Sequence, residues 1–176
     1  MKKIIVLRYG HRKKRDYRVT THCCLVARAF NAKEIIISGE EDKALIETIN
    51  EMQKKWGNAI KISFTNSWEK ELKKFKEKGY KAIHLTMYGE NINTAIKKIK
   101  GNKFLVIIGS KKVEKKVYDL ADYNIAIGNQ PHSEIAALAI FLDRIFKGKE
   151  LTIKPKNQKI IIKGNIKGKK IVKKRK

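Results

Sequence analysis

Three short stretches of this chain carry residue types at spacings suited to chemistry. The first is arginine-rich: Arg8, Arg12, Arg15 and Arg18, with Lys13 and Lys14 among them, stand within 11 positions beside a single acid, Asp16. A guanidinium stays protonated and grips a phosphate in fork geometry, so this cluster suits a phosphodiester ligand. The second stretch is Gly109-Ser110-Lys111-Lys112-Val113, directly after an apolar run, and the third is Gly128-Asn129-Gln130-Pro131-His132-Ser133-Glu134. Glycine at the head of such a loop lets backbone groups approach a ligand closely. Neither is a Gly-x-Gly-x-x-Gly dinucleotide loop or a Walker phosphate loop, so the common nucleotide cofactors lose ground. His22 and His132 are isolated histidines, read first as structural hydrogen-bonding residues and second as proton acceptors. Cys23 and Cys24, the only cysteines, are adjacent, which suits neither an ordinary disulfide nor a tetrahedral metal site. They read as small buried apolar residues, and no metal is expected.

These stretches need a scaffold, and the hydrophobic pattern supplies one. β-Branched runs over 3–7, 34–37, 60–64, 82–86, 104–108 and 124–127 alternate with helical segments over 19–30, 43–56, 68–78, 94–99, 113–120 and 133–147. Nearly all-apolar runs such as 104–108 are those of parallel strands covered on both faces, so the expected class is α/β, a three-layer, mostly parallel sheet. Ligands collect at the carboxyl ends of such strands, where the glycine loops and Met87-Tyr88-Gly89 fall. Thr20 and Thr21 are expected to cap the first helix, Ser67 the third, and Asn93 or Thr94 the fourth. Leu45, Ile49, Met52 and Trp56 recur at helical spacing and are expected to be core. Beyond 147 the pattern changes to two β-rich stretches, 158–163 and 169–172, read either as a basic β-hairpin or as a partly disordered tail.

The chain has 176 residues, 42% of them hydrophobic, enough for a real core, which excludes a wholly disordered basic protein. Its net charge is +25, and residues 147–176, with 13 basic residues and one acid, hold +12 of it. Two basic patches flanking one core point to a polyanion, RNA or DNA. The competing explanation is a lysine-rich surface of the kind found in thermophiles. The apolar runs fall far short of the ~20 residues that span a bilayer. The N-terminus lacks a secretory apolar stretch of about 7 to 15 residues, so no membrane association and a cytoplasmic location are expected.

Taken together, the Gly10-His11-Arg12, Arg18-Val19-Thr20-Thr21-His22 and Ala27-Arg28-Ala29-Phe30 blocks, with the 107–113 and 127–134 loops, resemble the archaeal tRNA (cytidine(56)-2'-O)-methyltransferases of the SPOUT superfamily. The resemblance covers about residues 3–147. It implies a C-terminal trefoil knot, S-adenosylmethionine as cofactor, tRNA as substrate and a homodimer. It divides the chain into a SPOUT domain, 1–148, and a basic extension, 149–176. Carried over residue by residue, it implies a cofactor site at Leu85, at Gly109, Ser110, Lys111, Lys112 and Val113, and at Ile127, Gly128, Asn129, Gln130, Pro131, His132, Ser133 and Glu134. Glu134 is also a candidate to hold an arginine from the partner protomer. Family members that methylate a ribose use an arginine of the first motif, for which Arg18 is the first candidate and Arg28 the second. Arg8, Arg12 and Arg15 are left to RNA phosphates. The implied reaction is 2'-O-methylation of cytidine 56 in the tRNA T-loop. A different tRNA or ribosomal RNA ribose, or RNA binding without catalysis, are the alternatives.

Overall fold

Each apolar run forms a strand because a helix covers it on either side. The computed structural model describes residues 2–109 and 113–173. Six parallel strands make the main sheet: β1 (Lys3–His11), β2 (Glu34–Gly39), β3 (Lys61–Thr65), β4 (Lys81–Asn91), β5 (Lys103–Gly109) and β6 (Tyr123–Ala126). Their spatial order is β3-β2-β1-β5-β4-β6. Helices α1 (Lys13–Ala29), α2 (Lys43–Trp56), α3 (Trp68–Glu77), α4 (Ile92–Lys98), α5 (Lys115–Leu120) and α6 (Glu134–Phe146) follow strands β1 to β6 in turn. The class expected from the periodicity is the one observed. No helix among the described residues is long and apolar enough to cross a membrane.

Side chains alternate across the strands and divide the core in two. Ile4, Val6, Phe104, Val106 and Ile108 pack beneath α1, α2, α4 and α6. Ile5, Leu7, Leu105 and Ile107 pack beneath α3 and α5, through Trp68, Leu72, Phe75 and Val117. The crossover from β1 leads outward to β2, whereas β5 leads through α5 to β6 at the opposite edge, so the sheet's switch point lies between adjacent β1 and β5. A crevice is expected at their carboxyl ends.

Several local expectations are corrected. α1 begins at Lys13, six residues before the expected start, and Thr20 and Thr21 are interior to it. Asp16 takes over the cap from inside the first turn, its carboxylate accepting from the Arg12 backbone N–H at 3.0 Å. Burial alone would raise the Asp16 carboxyl, but the Arg12 side-chain and backbone donors outweigh it and hold the group below its usual range. Thr20 is fully buried and its hydroxyl meets His11 Nδ1 at 2.9 Å. α4 is capped by Asn91, not by Asn93 or Thr94. Ser67 caps α3 as expected, accepting from Lys70 N–H. In α2, Leu45 and Ile49 are buried, while Met52 and Trp56 are only half-buried.

Strand β4 runs on past the expected end at Thr86. Ile83 to Leu85 pair with Tyr123 to Ile125, the ladder then breaks, and Glu90 and Asn91 pair again with Ile125 and Ala126. Ile125 is thus bonded by two separate parts of one strand. Gly89 makes this possible: a Cβ there would sit 2.5 Å from the Asn124 and Ile125 backbone. Residues between the two paired stretches arch out of the ladder at the carboxyl end of the sheet.

After α6 a short 3-10 helix, Lys149–Thr152, packs back against it, and Glu150 is buried. The chain then reaches α2, where Asn58 N–H donates to the Lys156 carbonyl and Lys159 N–H to the Lys55 carbonyl, both at 3.0 Å. Strands β7 (Ile160–Lys163) and β8 (Lys170–Lys173) form an antiparallel pair beyond this junction.

Candidate functional site

The carboxyl ends of β4, β5 and β6 enclose a cavity of about 360 Å³, within the range of small-molecule sites. Leu85, Ile108, Ile127 and Ala137 give it apolar walls, and the arched segment Thr86 to Tyr88 closes one side. Gly109 approaches through backbone alone: a Cβ there would lie 2.3 Å from Val113 Cγ2, so Val113 can pack on the strand end only because residue 109 has no side chain. A Cβ on Gly128 would meet open space.

The floor is a polar network. His84 Nδ1 lies 2.9 Å from Asn124 Oδ1, the Asn124 amide donates to the Tyr118 carbonyl at 3.0 Å, and the Tyr118 and Thr86 hydroxyls are 3.1 Å apart. The Tyr118 ring stands edge-on to His84, with centroids 4.6 Å apart. Burial lowers the His84 pKa against the opposing pull of Asn124, so its imidazole is neutral at pH 7. The Asn129 amide donates to the Met87 carbonyl at 2.7 Å and ties the third loop to the arch of β4.

Glu134 supplies the one carboxylate among the described lining residues, and no lysine or arginine lies among them. It opens α6 directly after the cap Ser133, whose hydroxyl accepts from Ile135 N–H. Its partner is Arg8, whose Nη2 is 3.1 Å from Glu134 Oε1. Arg8 also donates from Nη1 to the Tyr9 carbonyl. Next along β1, Tyr9 donates its hydroxyl to Glu114 at 2.5 Å. Burial and that carboxylate together push the phenol up to about 12.

The five expected arginines end in different places. Arg8 is not at a strand end: it lies inside β1 with 1% of its surface exposed, so burial leaves it no route to an RNA phosphate. Arg28 lies in the last turn of α1, at the opposite end of the sheet from the cavity, and donates to the Gly57 carbonyl at 2.9 Å. It is a structural anchor there. Arg15 and Arg18 are helical, not in a loop, and both are exposed together with Arg12. Arg12 and Arg15 lean on Asp16, whereas Arg18 has no ion pair among the described residues.

Of the expected cofactor residues, Leu85, Gly109, Val113, Ile127, Pro131, His132 and Glu134 line the cavity. Gln130 and Asn129 are exposed beside it, Gly128 and Ser133 complete the loop, and Ser110, Lys111 and Lys112 lie outside the described residues. His22 is exposed on α1. Cys23 and Cys24 are fully buried as expected, and burial pushes the Cys23 thiol up to about 12, which leaves it inert. Sequence reasoning missed His84, Thr86, Tyr118 and Ile108, which lie on strands or short helices with no loop signature.

A profile of the tRNA ribose 2'-O-methyltransferase family, aTrm56, matches residues 56–172, two thirds of the chain. The chain belongs to this family. A tRNA (cytidine(56)-2'-O)-methyltransferase of Methanopyrus kandleri is 45% identical over 95% of this chain and 94% of its own length. The Pyrococcus horikoshii protein of the same name is 49% identical over 96% of this chain and 84% of its own. Among solved structures, an A. aeolicus TrmH/SpoU tRNA modifying enzyme superposes with a TM-score of 0.64 at 17% identity, covering 85% of this chain and 77% of that one. The SpoU methyltransferase AviRb of Streptomyces viridochromogenes, in complex with AdoMet, superposes with a TM-score of 0.57 at 12% identity, covering 82% of this chain and 57% of that one. The aTrm56 chain therefore shares the SPOUT-type fold with distant methyltransferases, and its sequence with relatives along nearly all its length.

Proposed function

We propose that this aTrm56 family member transfers the methyl group of S-adenosylmethionine to the 2'-hydroxyl of cytidine 56 in the T-loop of tRNA, in the cytoplasm, as a homodimer with a C-terminal trefoil knot. The observation that carries the reading is identity of 45% over nearly the full length of both chains to a relative named for that reaction. The cavity fits the cofactor. Leu85, Ile108, Ile127 and Ala137 offer flat apolar contacts for an adenine, the Gly109 and Gly128 backbones are bare, and Glu134 suits a cationic ligand. The double pairing of β6 with β4, before and after the arch of β4, supports a threaded chain end.

When bound, the cofactor supplies a methyl group already activated on a sulfonium. The protein's part is to align the ribose hydroxyl, exclude water and stabilise the negative charge that develops on the oxygen. Apolar walls exclude water. Arg18, exposed and without an acid partner among the described residues, is the group assigned to polarise the hydroxyl and grip the adjoining phosphate. It does not line the cavity of its own chain, so it serves the cavity of the second protomer. α1 packs along α6, which exposes Ile140, and Tyr88 at the cavity mouth is 78% exposed, both suited to an interface. Arg12, at the N-cap of that helix, and Arg15, in its first turn, are assigned to hold neighbouring phosphates. The β7–β8 pair, part of the basic extension 149–176, adds affinity for RNA.

Purified protein with methyl-labelled S-adenosylmethionine should label a tRNA transcript, and a transcript carrying a 2'-deoxy residue at position 56 should accept none. Labelling at another ribose would move the target, and absence of label on every tRNA would overturn the proposal.

A further inference from the structure

A second, larger concavity lies at the amino ends of the strands, far from the cofactor cavity. It has a volume of about 760 Å³ and is built where the turn before β2, the end of α2 and the chain beyond α6 converge. Its lining holds five lysines, Lys33, Lys54, Lys154, Lys156 and Lys159, and no acid. Lys54 is paired with Glu51 at 2.6 Å on the outer surface, and Lys33 donates to Asn31 Oδ1 at 3.1 Å. Lys154, Lys156 and Lys159 have no ion pair among the described residues. Four uncompensated ammonium groups in one groove repel one another, which raises the free energy of the protein without a polyanion and favours binding one.

The groove also has a donor waiting. Asn31 is buried at its wall, yet its Nδ2 has no hydrogen-bond partner among the described residues. A buried donor without a partner forfeits its hydration with no return, so native structures seldom leave one idle. The groove is rigidly assembled. Gly57 adopts φ +68°, and a Cβ on it would lie 2.2 Å from the Lys156 carbonyl, so the basic extension is pressed onto this turn. Arg28 holds the same turn from below through the Gly57 carbonyl.

We infer that this groove is a binding site for RNA backbone phosphates, distinct from the methyl-transfer cavity. The inference rests on the proposed tRNA substrate and extends it. β1 spans nine residues, or about 30 Å at about 3.3 Å per residue, which is close to one duplex turn of roughly 34 Å. A tRNA with its target ribose at the carboxyl end of a sheet therefore has a helical arm long enough to lay phosphates in a groove at the amino end. The extension is thus a built part of a phosphate site, not only a loose basic tail.

The test uses full-length protein and a fluorescent tRNA transcript, with anisotropy read over a series of salt concentrations and without cofactor. Changing Lys33→Gln, Lys154→Gln and Lys156→Gln together should weaken binding about tenfold or more near 0.15 M salt and flatten the salt slope by about two to three. The control is Lys70→Gln, Lys73→Gln and Lys97→Gln, three exposed lysines elsewhere, which should weaken binding less than threefold. Equal losses in the two variants, or an unchanged affinity in the first, would overturn the groove. If wild-type protein binds tRNA through these lysines but methylates none, the groove stands and the proposed reaction falls. If it methylates tRNA and the groove variant binds as wild type, the reverse holds.

Discussion

Arg8 and Glu134, 126 positions apart in the chain, meet at 3.1 Å beneath α1 and α6, the arginine 1% exposed and the glutamate 24%. The pair fixes the first turn of α6 to the centre of the sheet and sets the one carboxylate on the described cavity lining. Its partners are unequal: Arg8 has left water entirely, with Nε unpartnered, while Glu134 keeps one side to the cavity.

Removing Glu134 should therefore cost more than its partial exposure suggests, because a guanidinium is left buried and unpaired. Glu134→Ala is expected to lower unfolding free energy by about 3 kcal/mol in urea denaturation and to weaken cofactor binding as well. Arg8→Met with Glu134→Gln should recover much of the stability but not the affinity. A double variant as unstable as Glu134→Ala would show that the pair is not the cause.

Arg18→Ala should lower turnover by about 100-fold or more, the scale of losing one positioned charge stabiliser, while leaving S-adenosylmethionine affinity within about twofold of wild type. Mixing Arg18→Ala protomers with protomers carrying Glu134→Ala should restore part of the activity if Arg18 serves the partner's cavity. Single-turnover rates and calorimetric titration measure both, and no restoration would keep Arg18 within its own chain.

The two glycines that approach neighbours closely should fail differently. A Cβ on Gly89 meets backbone at 2.5 Å, which cannot give way. Gly89→Ala is expected to destabilise by about 3 kcal/mol. At Gly109 the obstacle is the Val113 side chain at 2.3 Å. Gly109→Ala should shift the following loop, leave the melting temperature closer to wild type and reduce cofactor binding. Thermal melts alongside cofactor titrations separate the two effects.

Acid should weaken the fold early. Burial lowers the pKa values of both His11 and His84, so the unfolded chain takes up protons that the folded one refuses. Their contribution is complete above the unfolded value of about 6.5 and is lost as pH falls through the folded values. The melting temperature should decline as the pH falls below about 6.5. His11→Gln, which removes one of the two groups, should shrink that slope; an unchanged slope would exclude His11.

Glu150 has the opposite sign. It is 3% exposed, both carboxyl oxygens lack partners, and burial and then Asp143 raise its pKa. The folded state holds the proton longer than the unfolded one, so this stability is present below about pH 4.3 and is lost as pH rises through the folded pKa. Glu150→Gln should raise the melting temperature at pH 7 by about 2 °C or more and change it little at pH 4. Equal shifts at both values would point to packing instead.

Much of this molecule was legible in the chain. The alternation of apolar runs and amphipathic segments identified all six strands and their helices, because each needs only its own residues to show which face is buried. Seven of the cofactor residues that the family resemblance implied line the cavity, and all but Leu85 stand in the two glycine loops, whose motifs are local. Strand ends did not. Tyr9 to His11 extend β1 because His11 pairs with Gly39, and Glu90 to Asn91 extend β4 because β6 lies alongside. The Thr20-Thr21 pair has the composition of a helix cap, but Thr20 faces a histidine that the turn after β1 brings beneath it.

The arginines show the division most clearly. By itself the sequence determined that a basic cluster gathers near the first helix, that the C-terminal stretch is basic, and that glycine loops follow the later strands. It set Arg18 before Arg28 and left Arg8 to phosphates with no view of what surrounds each, since one side-chain type offers the same hydrogen bonds wherever it stands. Only the tertiary structure decided that Arg8 is sealed under α1 and α6, that Arg28 holds Gly57, and that Arg18 stays in water. The reason is that burial and pairing depend on groups distant in the chain, Glu134 and Gly57 among them, and these become neighbours only once the sheet has formed.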